Sequence, residues 1–150
     1  MTLWQTIAAE AERESPLWAD SLRPEADREP EAVFSALAEE RFALGLETIY
    51  EGYLVHYGRP RLFAPPDADA ALLLGDYLYA HGLVRIAELG DVEAIRRLAD
   101  LISRCARLRA DGTPGDGDAW ADAAEDLGEG GAGAREEALA AHARRIDSAP

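Results

Sequence analysis

Lysine does not occur in this chain: all fifteen basic residues are arginine. That bias fits codon usage in a GC-rich genome and carries no chemistry of its own. A single cysteine, Cys105, excludes an internal disulfide and leaves no CxxC pair for zinc. It falls in a helical pattern and reads as a small buried apolar residue. There is no basic-then-apolar leader, and no apolar run reaches the ~18 residues of a membrane span. The expectation is a soluble, cytoplasmic protein without a transmembrane segment. Nucleophile arrangements are missing as well: no GxSxG, no P-loop, no GxGxxG and no Cys–His pairing. No residue is therefore expected to be catalytic.

Acidic dipeptides are absent too. Holding Mg²⁺ against a diphosphate takes carboxylates about one helical turn apart, as in DDxxD. The chain has no Asp-Asp anywhere. Its DxD pairs, Asp67 with Asp69 and Asp116 with Asp118, lie in Pro- or Gly-rich stretches that read as loops and caps. His56, His81 and His142 are far apart in sequence. His56 and His81 with Asp76 would give a two-His-one-carboxylate set, but ordinary hydrogen bonding accounts for each, and no metal site is expected.

What is present favours helix. At 150 residues the chain suits one domain, and it is 48% hydrophobic and rich in Ala, Leu, Glu and Arg. The net charge of −14 argues against nucleic acid and anionic membranes, which need a basic stripe. The predicted fold is all-α, an antiparallel helical bundle. Residues 1–110 form a helical core with an N-terminal arm. Residues 111–150 form a Gly/Asp-rich loop and C-terminal helices, loosely held or docked on something else.

Thr2 caps a first amphipathic helix over 2–15. Ser15 and Pro16 open a short second one, with Trp4 and Trp18 as anchors for the arm. A polar linker spans 23–30. The first long helix is predicted from Glu31 to about Tyr57, with Gly45 and Gly52 on one face, two turns apart. Gly58 then stops it in the left-handed conformation. A helix over about 69–89, capped by Asp67 or Asp69, is apolar almost all round and is expected to be central and covered. Asp91 caps a fourth helix over 92–109. Residues 110–118 read as a loop, 119–127 as a short helix with Trp120 inward, 128–134 as a flexible joint and 135–147 as a final helix.

Two features invite a functional reading. Gly58-Arg59-Pro60-Arg61 places two arginines after a helix end, where Arg59 and Arg61 could grip a phosphate or a partner's carboxylate, or simply form a solvated turn. Tyr50, Tyr53 and Tyr57 share one helical face, and Tyr77 and Tyr79 follow on the next helix. They read as core with hydroxyls at the rim, or as the lining of an apolar channel or interface.

The order LETIYEGYLVHYGRPRLF, then AALLLGDYLYAHGLVRIAELGDVEAIRRLADLI, resembles the trans-polyprenyl diphosphate synthase family over about residues 40–110. In that family a helix of the type ALELIHxASLIHDDxxD precedes a loop with RRGxPT, then ILxGDYLLAxA, then xLGDPExxRLLAxxI. GDYLYA (75–80) followed by LGDVEAIRRLADLI (89–102) is the most specific part. The chain departs from the pattern where the first Asp-rich motif belongs, passing from His56 through Tyr57 straight to Gly58-Arg59-Pro60. The resemblance implies a truncated isoprenoid synthase fold. It further implies a non-catalytic small subunit of a heteromeric medium- or long-chain polyprenyl diphosphate synthase. Its partner would be a large catalytic subunit, and the expected Mg²⁺ would sit only on that partner. Tyr53, Tyr57, Tyr77 and His81 would line the product tunnel, in contact with the prenyl chain, or the subunit interface. The other reading is a free-standing, homodimeric binding or scaffold protein with the same fold.

Overall fold

The computed structural model describes residues 1–128 and 132–147. Among them are seven α-helices: α1 Leu3–Glu14, α2 Pro16–Ser21, α3 Ala43–Tyr57, α4 Ala68–Ala87, α5 Val92–Asp111, α6 Asp116–Asp126 and α7 Ala132–Asp147. The fold is an all-α bundle, as the sequence predicts. The caps follow the predicted chemistry. Thr2 and Gln5 form a reciprocal capping box on α1, Ser15 accepts from Leu17 N–H, Asp67 from Ala70 N–H and Asp91 from Ala94 N–H.

The centre of the bundle is α3. Every residue from Gly45 to Val55 is buried, which covers three turns on all sides. This corrects the expectation that α4 is the enclosed helix. Residues Leu72, Leu73 and Val84 of α4 are more than half exposed, and only Leu74, Gly75, Leu78, Gly82 and Ile86 are buried. Apolar periodicity shows that a side chain prefers cover, not that the chain supplies it.

Glycine sets the α3–α4 spacing. A Cβ on Gly52 would lie 2.9 Å from the Gly75 carbonyl oxygen, and one on Gly82 would lie 2.4 Å from Ile49 Cγ1 and 3.1 Å from the Gly45 carbonyl oxygen. Gly45 thus faces Gly82 while Gly52 faces Gly75, which fixes the pair as antiparallel. The backbones touch where side chains would hold them apart.

The first long helix is shorter than predicted. Residues 31–42 do not continue it; they form two 3₁₀ turns, Ser35–Leu37 and Glu40–Phe42, separated by extended backbone at Ala38 and Glu39. Tertiary bonds account for the break. The buried Glu47 carboxylate accepts from Val33 and Ser35 N–H, and Glu39 N–H donates to the Leu127 carbonyl. The segment folds as a plug that carries Val33, Phe34, Leu37 and Phe42 into the core. Gly58 is also corrected: its φ of −141° is extended rather than left-handed. The positive φ values occur at Gly90, Gly112 and Gly115.

The C-terminal part joins the same core rather than hanging loosely. Trp120 is fully buried and stacks on Phe34, with ring centroids 5.6 Å apart, while Ala138 and Ala141 of α7 pack beside it. Helix α6 begins at Asp116 and so takes in the last three residues of the predicted loop. Of the predicted joint over 128–134, residues 129–131 lie outside the described residues. The N-terminal arm builds a second cluster, in which Ile7 and Ala11 meet Val55, Leu62, Phe63, Leu74 and Leu78.

The glycine contacts generate a stability prediction. Gly52→Ala and Gly82→Ala should each lower stability by about 1–3 kcal/mol, the cost of overpacking a tight core. Gly133→Ala, which meets nothing within 4 Å, should not destabilise. Thermal melts of the three variants test the contrast; equal melting temperatures would refute the glycine contact.

Candidate functional site

The outer face of α4 carries three of the exposed large apolar side chains among the described residues, Leu72, Leu73 and Val84. At 100° per residue, Leu72, Leu73, Asp76, Ala80, Leu83, Val84 and Ala87 fall on one side of the helix. Leu72, Leu73 and Val84 are exposed at 58, 55 and 51%, and Leu83 is half-buried. The side chains that face inward leave no room for this stripe, because Gly75 and Gly82 already press α4 against α3. At the foot of the stripe a groove of about 550 Å³ opens between α3, α4 and α5, lined among others by His56, Tyr57, Leu72, Asp76, Tyr79 and Ile102. Burial raises the Tyr79 hydroxyl far above its ordinary value, so it stays protonated beside this groove.

The tyrosines and histidine singled out in the sequence divide into two places. Tyr53 and Tyr57 are neighbours on α3, with ring centroids 4.9 Å apart. Tyr57 reaches the groove, whereas Tyr53 is buried. Tyr77 and His81 lie on another side of α4, towards the arm. Tyr77 is sandwiched between Trp18 at 5.6 Å and His81 at 5.3 Å, and His81 Nε2 is 2.7 Å from the Glu10 carboxylate, which also pairs with Arg85. The four side chains do not form one lining.

The two arginines separate as well. Arg59 makes a forked contact with both Glu29 carboxylate oxygens at 2.9 Å. Arg145 of α7 reaches the same carboxylate at 3.2 Å. Arg61 is completely enclosed, so it meets neither solvent nor a phosphate. Its Nε donates to Glu51 at 2.9 Å and its Nη1 to Glu47 at 2.6 Å, and further bonds go to the Glu31 and Glu47 carbonyls. The Trp4 ring covers the guanidinium at 4.7 Å. Burial pulls the Arg61 pKa down, but the Glu47 and Glu51 carboxylates more than offset it and raise it. Glu51 also accepts the Arg61 and Leu62 backbone N–H groups.

Sequence reasoning passed over a polar network around Asp116. Its Oδ2 accepts from Tyr53 at 2.6 Å and from Arg109 at 2.7 Å, and lies 3.1 Å from His142 Nε2. With Nε2–H directed at the carboxylate, His142 Nδ1 accepts from the Tyr50 hydroxyl at 2.7 Å. Burial works to raise the Asp116 pKa. The hydrogen bonds from His142 and Tyr53 and the nearby positive charges win, and hold it well below its ordinary value. The network clips α5, α6 and α7 to α3. The spacing alone could not show it, because the members lie 63 and 92 residues apart.

A second omission is the row Asp118, Asp122 and Asp126 on α6, spaced one turn apart. Arg135 of α7 answers it, meeting Asp122 at 2.9 Å, Asp118 at 3.2 Å and Glu125. Arg97 meets Asp126 at 2.6 Å. The row is a helix–helix fastening. Among the described residues no three His, Cys, Asp or Glu side chains converge where a metal ion would sit. No helix among them is long and apolar enough to cross a membrane. Cys105 is buried, and burial pushes its thiol up to about 12, so it is a poor nucleophile at neutral pH.

Two predictions follow from the buried charges. Glu51→Ala strands Arg61 and two backbone donors, and should cost about 3–5 kcal/mol, whereas Glu51→Gln keeps an acceptor oxygen and should cost less. Chemical denaturation measures both; equal losses would contradict the assigned hydrogen bonds. Asp116 has a folded pKa below its ordinary 3.8. Its contribution to stability is therefore complete above that value and is lost as pH falls through the folded one. Asp116→Asn should be markedly less stable than the unmodified chain at pH 7, and the gap should narrow below about pH 4. A gap that stays constant with pH would rule out this linkage. No family model matches the chain, and no curated protein and no solved structure is significantly similar to it.

Proposed function

We propose that the chain is the non-catalytic subunit of a heteromeric polyprenyl diphosphate synthase, working by completing the apolar wall around a growing prenyl product. The observation that carries this reading is the uncovered face of α4, with the groove at its foot. Leu72, Leu73 and Val84 stand in water although the helix bearing them is packed tightly on its other side. Covering such a surface is favourable at about 25 cal/mol per Å². A contiguous exposed apolar stripe is the usual mark of an interaction site. The stripe lies on GDYLYA and its flanks, the most specific part of the sequence resemblance.

The division of labour follows from the charges. Arg59 and Arg61 are committed to carboxylates of this chain, and of the α6 aspartates Asp116 pairs with Arg109 while Asp118, Asp122 and Asp126 pair with Arg97 and Arg135. Diphosphate and Mg²⁺ would be held by the Asp-rich catalytic subunit. This chain would contribute shape. Tyr57 and Tyr79, which line the groove, would be the bulky groups that stop an elongating apolar tail.

The test is reconstitution. The chain alone should not turn over prenyl diphosphates with Mg²⁺. Mixed with an Asp-rich polyprenyl diphosphate synthase of the same organism, it should co-elute in size-exclusion chromatography and change both rate and product length. Tyr57→Ala should then lengthen the product or broaden its distribution. A synthase that neither binds the chain nor responds to it would sink this reading.

A further inference from the structure

The outer face of α4 carries a charge pattern that selects what can cover it. Besides its apolar residues it bears Asp69 in the first turn and Asp76 in the middle of the stripe, and Glu88 follows at its end. Asp76 is 63% exposed, with His56 Nε2 at 3.5 Å. Arg85, the sole basic residue of α4 besides His81, turns away and pairs with Glu10, leaving its side chain only 11% exposed. The face is therefore apolar and acidic, with no cation of its own.

This pattern disfavours a second copy of the chain. Two α4 faces laid together would bring Asp69 and Asp76 from both copies into one interface, with no arginine on the face to neutralise them and only His56, charged only when protonated, beside Asp76. Desolvating unpaired carboxylates is costly, and like charges repel. Both copies would also bring a net charge of −14. A protein helix with an apolar stripe and arginine or lysine at its edge has the opposite property: its cations meet Asp69 and Asp76 as its leucines cover Leu72, Leu73 and Val84.

We infer that α4 is a heterologous docking face for a basic amphipathic helix of a different protein, and that Asp69 and Asp76 set its charge preference. The inference rests on the proposed function for the partner's identity, but not for its chemistry. The helix lies along α4 with one end over the groove beside Tyr57 and Tyr79. Asp76 acts as the central charge contact, and the acids on the face keep copies of the chain apart.

The test uses two synthetic amphipathic peptides with the same leucine stripe, one flanked by arginines and one by glutamates. The full chain should bind the arginine peptide at least tenfold more tightly, with NMR shift changes centred on Leu72, Leu73 and Val84. Asp69→Asn/Asp76→Asn should weaken that binding by roughly five- to tenfold, the scale of two ion pairs at an interface rim. Glu136→Gln/Glu137→Gln, on exposed α7 positions, should leave it unchanged and so separate the site from general charge attraction. Equal binding of the two peptides, no response to the aspartate substitutions, or a stable homodimer in sedimentation would overturn the inference. With the Asp-rich synthase as partner, binding insensitive to the aspartate substitutions also overturns it while leaving the proposed function standing. No synthase binding with the peptide preference intact supports the docking face and removes the proposed function.

Discussion

Arg61, locked between Glu47 and Glu51, is the contact on which the arrangement of the chain depends. It is one of the largest fully buried side chains, and its two carboxylate partners sit on the innermost helix. Through it four separate segments converge: α3, the turns before it, the loop after it and the ring of Trp4 from α1. Ion pairs at this depth contribute little net stability, because desolvation offsets their attraction. Their value here is positional. A guanidinium that must satisfy two carboxylates and two backbone carbonyls accepts one geometry, and the loop 58–63 has to follow it.

The bundle is then arranged around α3 in two unequal ways. Towards α4 the approach is steric, glycine against glycine, with the His56 ring lodged against Gly75 and within hydrogen-bond reach of the Leu72 carbonyl. Towards α5, α6 and α7 it is aromatic and polar, with Phe34, Tyr50, Tyr53, Trp120 and His142 in mutual contact and Asp116 collecting their hydrogen bonds. The tight side produces an edge helix whose far face has no cover. The polar side produces a closed core. The asymmetry between the two sides is why α4 is the surface of interest.

Much of the architecture can be read directly from the sequence, because caps and periodicity are local. Thr2, Ser15, Asp67 and Asp91 each declare a helix start by their own chemistry, and the helices begin there. What escapes is decided at a distance. Glu47 and Glu51 look like surface residues until Arg61, fourteen and ten residues on, is found to neutralise them. Leu72, Leu73 and Val84 look like core until α4 is seen at the edge. Residues 31–42 have a helical pattern but are held in turns by bonds to Glu47 and Leu127, which no local propensity encodes. The division at the candidate site has the same origin: Tyr53 and Tyr57 share a helix face, and only the contacts of Asp116 decide that one turns inward and the other reaches the groove.

The attachment of α7 has a consequence for how the molecule opens. Its inner surface is built from alanines, Leu139 and Ile146 and from His142 and Arg145, so directional polar bonds share the holding with a modest apolar contact. Such bonds weaken together when screened or protonated, while an aliphatic face would not. Because its hold depends in part on such bonds, α7 is expected to open locally before the more apolar α3–α4 pair, which its amide exchange would report. The isolated chain thus combines an uncovered flank at α4 with one at its C-terminal helix that is fastened partly by charge.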